Sequence, residues 1–68
     1  MGKELPIMKY FEYKHLPLHL QVVSKRFYDV AHAIHTDWIH QETDTPETVT
    51  GLRKLLESKD CAVRSFIK

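Results

Sequence analysis

The chain has 68 residues, the size of one small domain, and 43% of them are hydrophobic while 28% are charged. This composition excludes an intrinsically disordered chain, which combines low hydrophobicity with a high net charge. The formal net charge of +1 also argues against a protein that grips long nucleic acid through its phosphates, because such proteins carry a larger positive excess.

The first 16 residues are predicted to form an N-terminal arm. They contain no apolar run long enough for a signal peptide or a membrane span. Aromatic rings and cations concentrate in the arm, especially in "FEYKHLP" (residues 11–17), and in the segment that follows: Tyr10, Phe11 and Tyr13, with Lys9, Lys14, Lys25 and Arg26. Two interpretations stay open. The rings pack the arm onto the helices, or they stack on the bases of a short nucleotide while the cations contact its phosphates.

The first helix is predicted over about residues 18–41. Apolar residues recur there at spacings of three and four, which is typical of an amphipathic helix. They are Leu16, Leu20, Val23, Phe27, Val30, Ile34 and Trp38. Pro17 suits the start of the helix, because the amide hydrogen that proline lacks has no partner in the first turn.

A turn is predicted over about residues 42–45, followed by a second helix over about residues 46–67. In "QETDTPET" the sequence places Thr45 as the N-cap and Pro46 at the first helical position. The second apolar series is Val49, Leu52, Leu55, Leu56, Ala62, Val63, Phe66 and Ile67. Gly51 interrupts this helix at a cost of roughly 1 kcal/mol, which predicts that another backbone approaches it closely.

These elements predict an all-α fold: one domain over residues 1–68, built as an antiparallel two-helix hairpin with a short N-terminal arm. Cys61 is the only cysteine, so an internal disulfide is excluded and a reducing compartment is favoured. A core this small stabilises a domain by only about 3–5 kcal/mol. We therefore expect copies of the chain to assemble into a compact homo-oligomer.

A second face of the first helix carries Tyr28, His32, His35 and Ile39 at helical spacing. It is covered either by residues 1–15 of the same chain or by another copy, and the small core favours another copy. Metal binding is disfavoured, because a structural zinc site wants four ligands and the single cysteine supplies no cysteine pair. The sequence also shows no set of nucleophile, base and orienting group and no glycine-rich phosphate loop, so we expect no catalytic residue and no cofactor.

Lys59 is unusual because it falls inside the apolar face of the second helix, where an unpaired lysine is rarely buried. Three explanations stay open: the side chain reaches past its neighbours to water, it pairs with a carboxylate of the first helix or of a neighbouring chain, or it meets an anionic ligand between subunits. Nearby, Arg53–Glu57 and Asp60–Arg64 have the spacing of surface ion pairs. One of these arginines could instead clamp a phosphate, for which its planar fork is well suited.

Together, "FEYKHLP", "LHLQVVSKRFYDVAHAI" and "TPETVTGLRKLLESKDCAVRSFI" resemble the small helical-hairpin proteins of bacterial viruses. Phe11, Tyr13, His15 and Pro17 match the family's lead-in, and Leu52, Lys54, Leu55 and Glu57 match its second helix. That family includes sponges that inhibit the CBASS and Thoeris immune systems by sequestering cyclic oligonucleotide or cyclic ADP-ribose signals. The resemblance implies compact oligomers, commonly hexamers, that hold ligands between protomers.

The expected function is therefore a non-enzymatic sponge for a cyclic di- or trinucleotide or a related signal, in the cytoplasm of an infected bacterial host. The candidate ligand-binding residues are Tyr13, Lys14, His15, Lys25, Arg26, Arg53, Lys59 and Arg64. No membrane and no long nucleic acid is expected as a partner. The alternative is a small viral structural or protein-interaction oligomer with no nucleotide ligand.

Overall fold

The computed structural model describes residues 4–67, and within that range the chain is all-helical, as predicted. A 3-10 helix, Pro6–Phe11, precedes two long helices that pack against each other, α1 (Leu18–Gln41) and α2 (Thr45–Arg64). Neither long helix has the length and apolar content that a membrane crossing requires, as judged over residues 4–67. Residues 1–3 of the predicted arm, and residue 68, lie outside the described residues.

Helix α1 has the bounds that its apolar spacing predicted. Pro17 is the N-cap, with φ −55° and ψ 150°, and its carbonyl oxygen accepts a hydrogen bond from the Gln21 N–H at 3.0 Å. The proline ring disfavours helical backbone at Leu16, so the helix begins after Pro17. It ends at Gln41 because Glu42 adopts a left-handed conformation, with φ 51° and ψ 48°. Glycine or asparagine usually occupies this position, so the glutamate carries a modest conformational cost.

Helix α2 begins and ends earlier than predicted. The N-cap is Asp44 and not Thr45, because an Asp44 carboxylate oxygen accepts a hydrogen bond from the Glu47 N–H at 3.0 Å. The Thr45 hydroxyl has a different partner, the indole N–H of Trp38 at 2.9 Å. The predicted end at residue 67 is also wrong, because regular helix stops at Arg64 and residues 65–67 form a turn.

The N-terminal arm forms a 3-10 helix that is part of the core. Its 3-10 helix buries Met8 and Phe11, which are 2% and 0% exposed. With Leu5 they join Ala31 of α1 and Leu52 of α2 in the core. The arm therefore contributes most of this buried cluster and lies across both long helices, so the folded unit has three packed elements instead of two.

The arm also covers much of the second face of α1. His35 is buried, and its Nε2 accepts a hydrogen bond from the Leu5 N–H at 3.1 Å. Tyr28 is half-buried and packs against the core, whereas Ile39 stays 39% exposed. This geometry agrees with the interpretation in which the chain's own N-terminal residues cover the face. Assembly into an oligomer stays a prediction.

Gly51 lies in an open position on α2, so the expected close approach of another backbone within the chain is wrong. A Cβ built at Gly51 would meet no atom within 4 Å. Replacing Gly51 with alanine should therefore raise the free energy of unfolding by about 1 kcal/mol, because the unfolded chain loses conformational freedom and no contact is disturbed. Urea denaturation measures the gain.

The matched control is Ser58→Ala, at another exposed position inside α2. Its gain should be smaller, because serine is a better helix former than glycine. A loss of stability in Gly51→Ala would contradict the open position seen in the single chain and would indicate that another molecule packs there.

Candidate functional site

The predicted ligand-binding residues do not form one site. Five lie in the arm or on α1, namely Tyr13, Lys14, His15, Lys25 and Arg26, and three lie on α2, namely Arg53, Lys59 and Arg64. Arg53 and Arg64 are separated by roughly 16 Å along α2, at 1.5 Å per residue. The three candidate cations of α2 are therefore not gathered at one point of the single chain.

Tyr13 and Lys25 are brought near each other, but both already have partners. The half-buried Tyr13 ring meets Tyr28 edge to face, with centroids 5.0 Å apart and planes at 73°. Lys25 Nζ lies 2.9 Å from a carboxylate oxygen of Asp29. This hydrogen bond, together with the carboxylate charge, raises the pKa of Lys25. Tyr13 thus serves packing, and the Lys25 charge is largely neutralised locally.

Lys14 and His15 are exposed in the connection between the arm and α1. Their backbone is fixed by Gln21, whose side-chain amide donates to the carbonyl oxygens of Leu16 at 2.8 Å and Lys14 at 3.4 Å. Both side chains are exposed to solvent. They could contact an anion, but no second predicted residue shares a groove with them.

A groove of about 380 Å³ lies between the arm and α2. Its lining is mostly apolar: Leu5, Pro6, Ile7, Val49 and Leu56. Three polar side chains complete it, namely Lys9, Tyr10 and Arg53. An apolar floor with a few polar groups is the usual composition of a small-molecule site. We call it the arm groove.

The polar side of the arm groove combines one flat ring with two positive charges. Tyr10 is 55% exposed, and Lys9 Nζ lies 5.2 Å from the centroid of its ring. Arg53 approaches from α2 and is exposed. The sequence pattern predicted Arg53 as a ligand-binding residue, but not Lys9 or Tyr10. Lys9 and Tyr10 are adjacent in the sequence, and this pairing of a cation with an aromatic ring could have indicated a binding site. Their proximity to Arg53 depends on how the arm packs and could not be predicted.

Lys59 stabilises the backbone of the arm next to the arm groove. Its side chain is 12% exposed, and its Nζ donates a hydrogen bond to the carbonyl oxygen of Tyr10 at 2.8 Å. The nearest carboxylate oxygen, on Asp60, is 4.0 Å away. None of the three predicted explanations named this backbone partner. The ammonium group is thus anchored to the arm and fixes the backbone of the residue whose ring borders the groove.

A second groove, of about 460 Å³, lies where the start of α1 meets the end of α2. Arg26 and His19 border it, and Phe27 and Phe66 contribute to its apolar walls. Neither predicted ion pair of α2 forms among residues 4–67. Arg64 instead donates to the sulfur of Cys61 at 3.3 Å.

The side chains that line the arm groove suit binding of an anion that has an apolar or aromatic part. Within residues 4–67, no group of three or more histidine, cysteine, aspartate or glutamate side chains could hold a metal ion. Comparison with known proteins finds no matching family model, no matching curated protein and no matching solved structure.

Proposed function

We propose that the protein is a non-enzymatic binder that sequesters a cyclic oligonucleotide, or a cyclic ADP-ribose type signal, in the cytoplasm of a virus-infected bacterium. The observation that supports this proposal is the arm groove, in which Tyr10, Lys9 and Arg53 surround an apolar floor. The resemblance of the sequence to viral sponge proteins supplies the ligand class.

Each polar group of the arm groove matches one part of such a ligand. An exposed tyrosine ring can stack on a base, a contact that contributes about 1–3 kcal/mol. The planar guanidinium of Arg53 suits bidentate contact with a phosphate, and Lys9 adds a second positive charge. In this proposal Tyr10 replaces Tyr13 as the stacking residue, because the ring of Tyr13 packs against Tyr28.

The size of the groove suits part of a cyclic dinucleotide. A volume of about 380 Å³ lies at the lower end of the range for small-molecule sites, enough for one base and an adjoining phosphate. A ligand with two bases and two phosphates would then occupy grooves of two copies. This fits the proposed homo-oligomer, for which the sequence resemblance suggests six chains.

Isothermal titration calorimetry against cyclic dinucleotides, cyclic trinucleotides and cyclic ADP-ribose isomers tests the proposal. We expect at least one ligand to bind with Kd below about 10 μM. Arg53→Ala should weaken that binding at least about tenfold, because a charge-assisted phosphate contact is lost. Lys54→Ala, at the adjacent exposed position outside the groove, is the matched control and should bind like the parent protein.

Absence of binding across the panel would overturn the sponge proposal for these ligands. Equal binding by Arg53→Ala and the parent protein would remove the arm groove as the site. The second candidate function, a structural or protein-interaction module, is favoured by the exposed apolar side chains Leu18, Val22 and Phe66. A stable assembly in native mass measurements, without any bound small molecule, would support that function.

A further inference from the structure

The shape of the arm groove depends on how the 3-10 helix, Pro6–Phe11, is rotated about its own axis. Side chains three residues apart lie on one face of such a helix. Met8 and Phe11 form the face that is buried in the core. Ile7 and Tyr10 form a second face, and both line the arm groove. A rotation of the arm would therefore carry the Tyr10 ring away from the groove.

Two side chains from different helices hold the two ends of the arm. At the N-terminal end, His35 of α1 accepts a hydrogen bond from the Leu5 N–H at 3.1 Å. At the C-terminal end, Lys59 of α2 donates a hydrogen bond to the carbonyl oxygen of Tyr10 at 2.8 Å. The last carbonyl groups of a helix have no partner within that helix, and a lysine can supply one. Lys59 therefore caps the 3-10 helix from another element.

The position of Lys59 on α2 relates it to the arm groove. Val49, Arg53 and Leu56 line the groove and follow one another at spacings of four and three residues, so they form a row on one face of the helix. Lys59 comes three residues after Leu56 and extends this row. It does not line the groove itself. Its contact with the arm is the hydrogen bond to Tyr10.

A lysine is a costly residue for this position if its role is only to stabilise the fold. The Lys59 side chain is 12% exposed, and the nearest carboxylate oxygen, on Asp60, is 4.0 Å away, so the ammonium group loses hydration without a close ion pair. An apolar side chain of similar length would pack there without that cost. The ammonium group adds a directional hydrogen bond, which selects one docked position of the arm among those that apolar contacts allow.

We infer that Lys59 is a positioning residue for ligand binding: its hydrogen bond to the Tyr10 carbonyl oxygen keeps the Tyr10 ring at the arm groove, where the ring stacks on the flat part of a cyclic nucleotide. The inference rests on the proposed function, because it concerns the same groove. It implies that the Lys59 ammonium group contributes to affinity only while the Tyr10 ring is present.

Calorimetry tests this role with the cyclic dinucleotide or trinucleotide that binds the parent protein most tightly. Lys59→Met keeps the apolar stem but removes the donor, and it should weaken binding about fivefold or more. Lys59→Arg keeps an N–H donor and should bind within about threefold of the parent protein. Lys54→Met, at an exposed position outside the groove, is the matched control and should bind like the parent protein.

A double-mutant cycle shows whether Lys59 acts through the Tyr10 ring. In Tyr10→Ala the stacking contact is already lost, so adding Lys59→Met should change Kd by less than about twofold. A side chain that contacted the nucleotide itself, or that only stabilised the fold, would weaken binding by the same factor in both backgrounds.

A measurement on the ligand-free protein reports the hydrogen bond directly. The carbonyl carbon chemical shift of Tyr10 should change in Lys59→Met and stay unchanged in Lys54→Met. The urea midpoint of Lys59→Met should remain close to that of the parent protein, because the apolar stem still packs.

Equal effects of Lys59→Met in the two backgrounds would overturn the positioning role. An unchanged Tyr10 carbonyl shift would overturn it as well, and so would equal binding by Lys59→Met and the parent protein. If no cyclic nucleotide binds the parent protein, the proposed function fails and the positioning role fails with it. Because that outcome is seen in the parent protein and the others in the variants, the two failures are distinguishable.

Discussion

Replacing Phe11 with alanine should leave most of the protein unfolded in water at room temperature. Phe11 is 0% exposed and belongs to the cluster that joins the arm to both long helices. Truncating a buried phenylalanine costs about 3–5 kcal/mol, which equals about the whole stability that a domain of this size obtains from its core. Circular dichroism and urea denaturation measure the effect.

Tyr10→Ala is the matched control, because it truncates the neighbouring aromatic residue at a position that is 55% exposed. Its effect on stability should stay within about 0.5 kcal/mol. If Phe11→Ala were as stable as Tyr10→Ala, the arm would not belong to the core. The hairpin would then be stabilised by something outside the single chain, such as association.

Removing the imidazole of His35 should loosen the arm on α1. The Leu5 N–H donates a hydrogen bond to Nε2 of the buried His35 at 3.1 Å. His35→Leu removes the acceptor and leaves the Leu5 N–H without its partner. The free energy of unfolding should therefore fall by about 1–3 kcal/mol.

Urea denaturation measures this loss. Hydrogen exchange of the Leu5 amide at constant pH reports the arm contact directly and should be faster in His35→Leu than in the parent protein. His35→Gln should retain part of the stability, since an amide oxygen can accept the bond. His15→Leu, at an exposed histidine, is the matched control and should change the free energy of unfolding by less than about 0.5 kcal/mol. Equal stability of His35→Leu and His15→Leu would refute the prediction.

The two long helices could be predicted because their signals are local. Helix α1 follows from the apolar spacing and from Pro17, and its observed bounds agree. The start of α2 was misassigned by one position because Asp44 and Thr45 are both good caps. The tertiary contact with Trp38 engages the Thr45 hydroxyl. The end was misassigned because Phe66 and Ile67 continue the apolar pattern but stay exposed.

The arm and the arm groove could not be predicted, because they depend on contacts between distant residues. A six-residue 3-10 helix is too short for a periodic pattern. Lys59 was recognised as unusual, yet its partner is a backbone carbonyl 49 residues away, and backbone groups leave no trace in the sequence. For the same reason, the sequence does not show that Lys9 and Tyr10 lie beside Arg53, because their proximity depends on the position of the arm.

The position of the arm has a consequence for the order of folding. Met8 and Phe11 pack in one cluster with Leu52 of α2, which lies far from them along the chain. Loop closure over such a distance costs entropy before any contact offsets it. We therefore expect the hairpin to form first and the arm to dock as the slowest step, so that newly made chains expose these two residues until α2 has formed.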